Sequence, residues 1–416
     1  MKSLFSGEAF AVIHVKNFRF YLFFRIFMTM ATLMQSVIVG WQIYDLSHNV
    51  LWLGFIGLAE VIPQVSISLF AGHYIDLWNR RKIVKYSTLL LILGSVILLI
   101  YSANAPYFSE KFGILPVFFT IFLTGLARGI LNPAQVALMG QLIPRNLYAN
   151  AATWSSATWQ VAAVMGPAIG GLVYGFWGIV PAYSLVSGLY ALSFFTVMFI
   201  KCGRHEVIET AEGIFTRIGS GINFVFKTPE LLGAFTLDMF AVLFGGAVAM
   251  LPVFASDILL VGPQGLGLLR ACPAIGAAFM AIILMFRPPL RDTGKVLFIS
   301  VLGFGLCMIG FALSKSFILS GLLLIFSGAF DNVSVVIRGT ILQLFTPDEM
   351  RGRVASVNSI FIGSSNELGA FESGVAAKLM GLVPSVVFGG IMTLAVVFTT
   401  IKLNKPLRRL SLRNRM

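Results

Sequence analysis

Nine ionisable side chains lie inside stretches of sequence that are otherwise apolar, and they are the residues best suited to do chemistry. They are Arg25, Glu60, Arg128, Asp238, Arg270, Asp331, Arg338, Glu367 and Glu372. A charge at the centre of a membrane helix costs about 2.5 to 3.5 kcal/mol on insertion scales, so it usually pairs with another charge or serves a transport pathway. Each of the nine is therefore a candidate for proton coupling or for lining a polar cavity.

The stretches that must position these charges are long enough to be membrane spans. Hydrophobic residues make up 57% of the chain and charged residues only 11%, whereas about a quarter of the residues in an ordinary soluble domain are charged. A bilayer core of about 30 Å needs roughly 20 apolar residues per helix. The sequence predicts an all-α polytopic membrane protein with twelve transmembrane helices, at residues 18–44, 51–75, 83–104, 113–142, 149–177, 180–200, 230–256, 264–286, 294–314, 317–345, 353–377 and 382–403.

The basic residues indicate how the chain is oriented. With the N-terminus in the cytoplasm, most of the 30 Lys and Arg residues fall on the cytoplasmic side, and only Lys111, Lys315 and Lys378 fall outside. Short basic loops resist translocation, so this orientation is favoured, and an even number of spans puts both termini in the cytoplasm. Because the basic residues sit at helix ends and not on one face, the net charge of +13 does not indicate a nucleic-acid partner.

The short basic loop after the second span contains Gly72, Asp76, Arg80 and Arg81. A plain cytoplasmic loop would explain the arginines but not the aspartate four residues after the glycine. The spacing resembles the signature loop of the major facilitator superfamily of secondary transporters, with Asn79 where the family usually has a second glycine. The resemblance implies that the glycine allows close helix packing, and that aspartate and arginine form a charge network that locks one alternating-access state.

The two halves of the chain also resemble each other. Leu53-Gly54 opens the second span as Leu266-Gly267 opens the eighth, and Gly166 and Gly171 match glycines of the eleventh span. A repeat of about 200 residues with six spans per half is typical of facilitator-type transporters, which bind substrate near the membrane midplane. We predict two pseudo-symmetric six-helix halves, at residues 1–200 and 230–403. A cytoplasmic linker at residues 201–229 joins them, and a basic cytoplasmic tail follows at residues 404–416.

The fifth span contains Gly166, Pro167, Gly170 and Gly171. These residues resemble the motif Gly-x-x-x-Gly-Pro-x-x-Gly-Gly of exporters in the superfamily, with Ala162 in place of the first glycine. Small residues let helices approach closely, and neighbouring helices can support the bend at the proline. The resemblance implies export and a part in conformational gating, and a generic packing face is the alternative.

Three of the buried charges allow more specific predictions. Arg128 lies where drug and proton antiporters of the superfamily carry an arginine linked to proton coupling, although their usual glycine is Asn132 here. Asp331 and Arg338 are separated by about 10 Å of helical rise, so their partners must lie on other helices. The internal repeat aligns Asp331 with Arg128, and a structural ion pair across the halves is an alternative to a proton or substrate role.

The eleventh span is unusually polar. Asn358, Ser365 and Glu372 share one helical stripe. Glu367 lies off this stripe, at about 140° around the helix axis from Glu372. Such a stripe predicts a water-filled cavity, in which a carboxylate can exchange a proton as the cavity opens and closes.

Two features near the membrane surface have open interpretations. Residues 208–226 are predicted either as an amphipathic helix on the membrane or as a solvated connector. Aromatic residues near span ends are interpreted as packing residues or as interfacial anchors, and they include Trp41, Tyr44, Trp154, Trp159 and Trp177.

Segments 231–246, 262–270 and 361–374 resemble the branch of the superfamily that contains the enterobactin exporter and macrolide-type efflux pumps. This implies proton-coupled export of a bulky organic solute, first a siderophore, with multidrug efflux or lysophospholipid transport as alternatives. We expect a monomer in a bacterial plasma (inner) membrane, driven by the proton gradient without a cofactor. The four histidines fall outside the spans or at the end of one, and they form no metal or nucleophile pattern, so an enzyme is not expected. After the transporter and the enzyme, the third class considered is a transporter-like receptor or scaffold that no longer alternates between conformations.

Overall fold

The computed structural model describes residues 11–201, 214–289, 291–347 and 350–412. Helices account for nearly all of these residues. In chain order they are α1 (Lys16–Ser47), α2 (Val50–Leu77), α3 (Arg80–Ala103), α4 (Ala105–Phe112), α5 (Leu115–Leu142), α6 (Tyr148–Trp177), α7 (Ile179–Met198), α8 (Ile214–Lys227), α9 (Pro229–Gly245), α10 (Leu251–Val253), α11 (Gly262–Phe286), α12 (Thr293–Leu313), α13 (Phe317–Phe345), α14 (Arg351–Met380), α15 (Leu382–Leu403) and α16 (Lys405–Arg408).

Every predicted span corresponds to a long helix, or in one case to a helix with the turns that follow it. Among the described residues, eleven spans are long and apolar enough to cross a membrane, with Pro229–Ile258 taken as one. The twelfth, α14, has 30 residues but is not among the eleven, because of its serine, asparagine and glutamate side chains. The prediction of a twelve-helix, all-α fold is confirmed, with helix ends within a few residues of those expected.

Two local departures from the predicted elements follow from glycine and proline. The seventh span is not one continuous helix, because α9 ends at Gly245 and is followed by a 3-10 turn, Ala247–Met250, and by a π-helical turn, Phe254–Ile258. The hydroxyl of Ser373 lies 3.5 Å from the carbonyl oxygen of Gly246, where the helix has been interrupted. Between the third and fourth predicted spans, the chain forms the additional short helix α4.

Contacts within the chain divide it into two compact units. Unit 1 comprises Met1–Leu46 and Ala59–Thr210, and unit 2 comprises Ser47–Leu58 and Ala211–Met416. The first turns of α2 thus pack with unit 2, where an added Cβ on Gly54 would lie 3.1 Å from Cα of Gly374. The predicted boundaries at residues 200 and 230 concern the functional halves, and they stay a prediction.

Buried polar side chains link helices inside unit 1. The hydroxyl of Tyr183 on α7 donates to Gln42 Oε1 on α1 at 2.6 Å, and Gln42 Nε2 donates to Ser102 on α3 at 3.0 Å. Gln35 Nε2 donates to Thr124 on α5 at 3.3 Å. Hydrogen bonds between helices satisfy polar groups that an apolar interior would otherwise leave unpaired, so α1 has a fixed position among its neighbours.

The predicted linker and tail both contribute to unit 2. Within α8, Val225 is buried and Ser220 accepts a hydrogen bond from Arg353 of α14 at 3.0 Å, so this helix packs on its own unit. After α15, Leu407, Leu410 and Leu412 are buried, and the amide of Gly294 donates to the carbonyl of Leu410 at 3.1 Å. The basic C-terminal segment is therefore part of the folded unit as far as residue 412.

Candidate functional site

Glu60 on α2 and Arg128 on α5 form an ion pair in unit 1. Arg128 Nη1 donates to Glu60 Oε1, and the side chains of the arginine and the glutamate are 30% and 15% exposed. Tyr190 of α7 lies within electrostatic range of both charges, and its hydroxyl donates to Thr32 at 3.1 Å. Neither charge of this pair is fully enclosed by the protein.

Two glycines bring α5 close enough to α2 for this pair to form. An added Cβ on Gly125 would lie 2.8 Å from Pro63 Cγ and would also overlap the carbonyl oxygen of Glu60. An added Cβ on Gly129 would overlap the side chain of Ile67. Real Cβ atoms do not approach other atoms this closely, so only glycine at these two positions permits the observed packing.

Arg25 of α1 lines a separate, open cavity of about 410 Å³ in unit 1. The other lining residues are Met139 of α5 and Ala152, Ser155, Ser156 and Trp159 of α6. Arg25 Nη1 lies 3.4 Å from the hydroxyl of Tyr21, and the buried Nε has no hydrogen-bond partner among the described residues. The cavity lies toward the end of the unit where α1 begins, α5 ends and α6 begins.

The predicted exporter motif on α6 packs against α1. An added Cβ on Gly166 would lie 3.1 Å from the carbonyl oxygen of Met30, and one on Gly170 would lie 3.2 Å from Cα of Met34. The helix continues through Pro167, and Gly171 is buried. The motif thus permits close packing of α6 on α1, and its part in gating stays a prediction.

The arginines of the basic loop bind carbonyl groups at the ends of other helices of unit 1. Arg80 Nη1 donates to the carbonyl of Ala137 at 3.1 Å, and Arg81 Nη2 donates to that of Met198, the last residue of α7, at 2.6 Å. A cation at a helix C-terminus is favourable because the carbonyl dipoles point toward it. Gly72 and Asp76 belong to α2, but their surroundings lie outside the described residues, so the predicted charge network stays a prediction.

Unit 2 contains a more deeply buried charge cluster. Arg338 Nη1 on α13 lies 2.6 Å from Asp238 Oδ2 on α9, and each side chain is 7% exposed. Asp331 lies two turns before Arg338 on α13, within electrostatic range of both partners, with no hydrogen bond to any residue that the structure describes. The cluster therefore contains two carboxylates and one guanidinium, and Asp238 is the carboxylate within salt-bridge distance of Arg338.

Two of the buried arginines have carboxylate partners on other helices. Arg338 finds its carboxylate on another helix, as the spacing along α13 required, and the partner is Asp238. Arg128 pairs with Glu60. Both of these ion pairs lie within a single unit. The alternative of a structural ion pair between Asp331 and Arg128 across the halves stays a prediction.

The polar residues of α14 are not equally accessible. Asn358 and Glu372 are partly exposed, but Ser365 is only 2% exposed and donates to the carbonyl of Ile362 in its own helix at 3.0 Å. The predicted stripe is therefore interrupted at its centre. Glu367 lies within electrostatic range of Arg270 on α11, whose Nε is buried without a hydrogen-bond partner in the described part of the chain.

Sequence reasoning missed most of the wall of the Arg25 cavity. Trp159 was interpreted as a packing residue or an interfacial anchor, whereas it lines the cavity together with Ser155 and Ser156. A signal for this existed, because Ala152, Ser155, Ser156 and Trp159 follow the spacing of one helical face. Met139 carried no such signal, since it reaches the cavity from a different helix.

Comparison with solved structures supports the architecture. The chain aligns with a POT family transporter crystallised with 5-aminolevulinic acid at a TM-score of 0.75 and 12% identity, covering 94% of this chain and 96% of that one. A bacterial homologue of the iron transporter ferroportin, in an inward-facing state, aligns at a TM-score of 0.72 and 15% identity. This alignment covers 95% of this chain and 99% of that one. The two alignments show the multi-helical fold that these transporters share, and the sequence family below makes the chain a member of the major facilitator superfamily.

Within that class, the chain belongs to the transmembrane secretion effector family, whose sequence model matches residues 7–413. It is 23% identical to the multidrug efflux pump Tap of Mycolicibacterium fortuitum, over 82% of this chain and 84% of that protein. It is 19% identical to the staphyloferrin A transporter of Staphylococcus aureus, over 89% and 92%. It is also 23% identical to the enterobactin exporter EntS of Shigella flexneri, over 90% and 88%.

Proposed function

We propose that this protein is a proton-coupled exporter that moves a bulky organic solute by alternating access. The observation that carries the proposal is the cluster of Asp238, Asp331 and Arg338. With both carboxylates ionised, the cluster holds one more negative than positive charge within spanning helices, where unbalanced charge is costly. A proton bound to one carboxylate removes that excess, so the cluster can take up and release a proton during the transport cycle. The proton gradient supplies the energy, and no cofactor is needed.

Asp331 is the better candidate for the proton carrier. Asp238 is held 2.6 Å from Arg338 and is buried, so its charge is already balanced. Asp331 is in range of the same guanidinium, but its surface is partly exposed and it has no hydrogen bond to a described residue. Glu372 of α14 is a second candidate because it is partly exposed in a polar helix.

The proposed substrate is a siderophore of the enterobactin type. The support is the presence of enterobactin exporters and a staphyloferrin A transporter among the relatives. The multidrug pump Tap is a relative of similar identity and favours drug efflux as the second candidate. A lysophospholipid would be the remaining outcome if neither class of solute is transported.

We propose a bacterial plasma (inner) membrane as the location, with both termini in the cytoplasm. The basic residues at the helix ends support this orientation, because positive loops are retained on the cytoplasmic side. The start of α1 is then cytoplasmic, and the Arg25 cavity lies toward that side, where an exported solute must enter. A monomer is sufficient for alternating access, and no nucleic acid takes part.

The test is the distribution of a catecholate siderophore between cells and medium during iron starvation. Cells that lack the gene should accumulate the siderophore inside and release less of it, and restoring the gene should reverse both changes. An enzyme would instead change the compound, and mass spectrometry of the exported material would show that. An unchanged distribution would contradict siderophore export, and a panel of toxic compounds would then test drug efflux.

A further inference from the structure

Arg25 differs from the paired arginines in its surroundings. In the described part of the chain, Arg128 and Arg338 each form a salt bridge with a carboxylate, whereas no carboxylate lies within salt-bridge distance of Arg25. Its Nη1 instead lies 3.4 Å from the hydroxyl of Tyr21. A guanidinium in a spanning helix normally has an anionic partner or faces a functional cavity, and Arg25 does face a cavity.

The walls of that cavity fit an anion. Its six lining residues include one cation and no carboxylate. Ser155 is buried, and its hydroxyl has no hydrogen-bond partner among the described residues, so it can donate to an incoming anionic oxygen. Arg25 presents a planar set of N–H donors that matches a carboxylate or phenolate group.

The remaining lining residues of the cavity fit an apolar, planar body. Trp159 is 46% exposed and lies on the face of α6 that carries Ala152, Ser155 and Ser156, whose small side chains leave space beside the indole. Met139 closes the wall from α5 with a flexible thioether that adapts to different shapes. The volume of about 410 Å³ is within the range of small-molecule pockets, roughly 300 to 1,000 Å³.

We propose that the Arg25 cavity is a binding site for an aromatic organic anion, in which Arg25 and Ser155 bind the anionic group and Trp159 contacts the ring. The inference rests on the proposed export function in one respect: the anion is taken to be part of the exported solute. The site would then select solutes that combine a carboxylate or phenolate with an aromatic surface.

The test is equilibrium binding of labelled 2-naphthoate to the purified full-length protein in lipid nanodiscs, with neutral 2-naphthamide as the matched ligand. The wild-type protein should bind the anion more tightly than the amide. Arg25→Gln should weaken naphthoate binding roughly 10- to 100-fold, the effect of losing a charge-assisted hydrogen bond in a cavity, and should leave naphthamide binding nearly unchanged. Arg25→Lys should retain part of the preference for the anion.

Two control variants remove the same side-chain types elsewhere. Arg19→Gln removes an exposed arginine from the first turns of α1 and should leave naphthoate binding within about twofold of wild type. Trp159→Leu should weaken the binding of both ligands by a similar factor. Trp177→Leu, at an exposed position of α6, is its control and should weaken the binding of neither ligand.

The proposal is overturned if Arg25→Gln binds naphthoate as wild type does, or if Arg19→Gln loses as much affinity. If the Arg25→Gln protein is not monodisperse, the test is the preference of the wild-type protein for naphthoate over naphthamide. Equal affinities of the wild-type protein for the two ligands then overturn the proposal. Siderophore export is scored separately in cells. If naphthoate binding depends on Arg25 but no siderophore is exported, the binding site is supported and the proposed substrate is contradicted. If siderophore is exported but naphthoate binding does not depend on Arg25, the proposed substrate is supported and the binding site is contradicted.

Discussion

The ion pairs of the two units use the same charges in different surroundings. In unit 1, Arg128 and Glu60 are 30% and 15% exposed, and glycines on α5 bring the helices together. In unit 2, Arg338 and Asp238 are each 7% exposed, with Asp331 as a third charge. A buried pair is difficult to separate, because each charge left alone is strongly unfavourable. In the proposed mechanism, the first pair opens during transport, whereas the second stays a fixed, charge-balanced pair beside which Asp331 changes its protonation.

The largest expected effect comes from breaking the buried pair. Asp238→Ala should lower the free energy of unfolding by about 3 to 5 kcal/mol, because Arg338 remains buried without its carboxylate. Glu60→Ala should lower it by only about 1 to 2 kcal/mol, since Arg128 keeps part of its exposure. Denaturant unfolding of the two variants in the same detergent measures the comparison. Equal losses would contradict the distinction between a fixed and an openable pair.

A double-mutant cycle sharpens the same contrast. Replacing both partners, as in Asp238→Leu with Arg338→Met, leaves no unpaired charge and should recover most of the loss. The coupling free energy in unit 2 should be roughly 2 to 3 kcal/mol, and that between Glu60 and Arg128 should be below about 1 kcal/mol. A larger coupling free energy in unit 1 than in unit 2 would reverse the assignment of the openable pair and the fixed pair.

The next effect concerns the glycines that position the exposed pair. Gly129→Ala places a Cβ against Ile67 and should destabilise the protein by about 1 to 3 kcal/mol, while also weakening transport. Gly140→Ala on the same helix is the control, because its Cβ would meet the nearest atom, Tyr148 Oη, at 3.7 Å. That control should be neutral or more stable by up to about 1 kcal/mol, as seen by thermal unfolding.

The smallest effect on stability is expected at Asp331. Asp331→Asn removes a charge that has no hydrogen bond to a described residue, so stability should change by less than about 1 kcal/mol. Asp238→Asn in the same assay should cost several times more, because it removes the partner of Arg338. Similar losses in both variants would show that Asp331 is a structural residue of the cluster.

Much of this fold could be predicted from sequence because membrane spans need about 20 apolar residues and leave a continuous signal. The polar span α14 is also predicted, at residues 353–377, because its run of residues has spanning length despite the glutamates. The C-terminal segment was harder. Arg408 and Arg409 dominate its composition, while Leu407 and Leu410 form the buried side, and nothing local shows that the body of unit 2 lies beside them.

The charged residues could be identified from sequence, but their partners could not. Any ionisable residue in a span is a candidate, so Asp238 and Arg338 were found, yet 100 residues separate them and no helical spacing relates them. The Arg25 cavity depends on three helices and on small residues that leave space between them. Such a site follows from tertiary packing, which helical spacing within one segment cannot predict.

The most direct test of the account is proton movement driven by substrate in proteoliposomes that contain the purified protein. Addition of a transported catecholate siderophore should move protons across the membrane with the wild-type protein, as followed by a trapped pH-sensitive dye. Asp331→Asn should abolish this proton movement while the protein remains folded and binds substrate. Proton movement at the wild-type rate in Asp331→Asn would contradict the central claim that the unit 2 cluster couples transport to protons through Asp331.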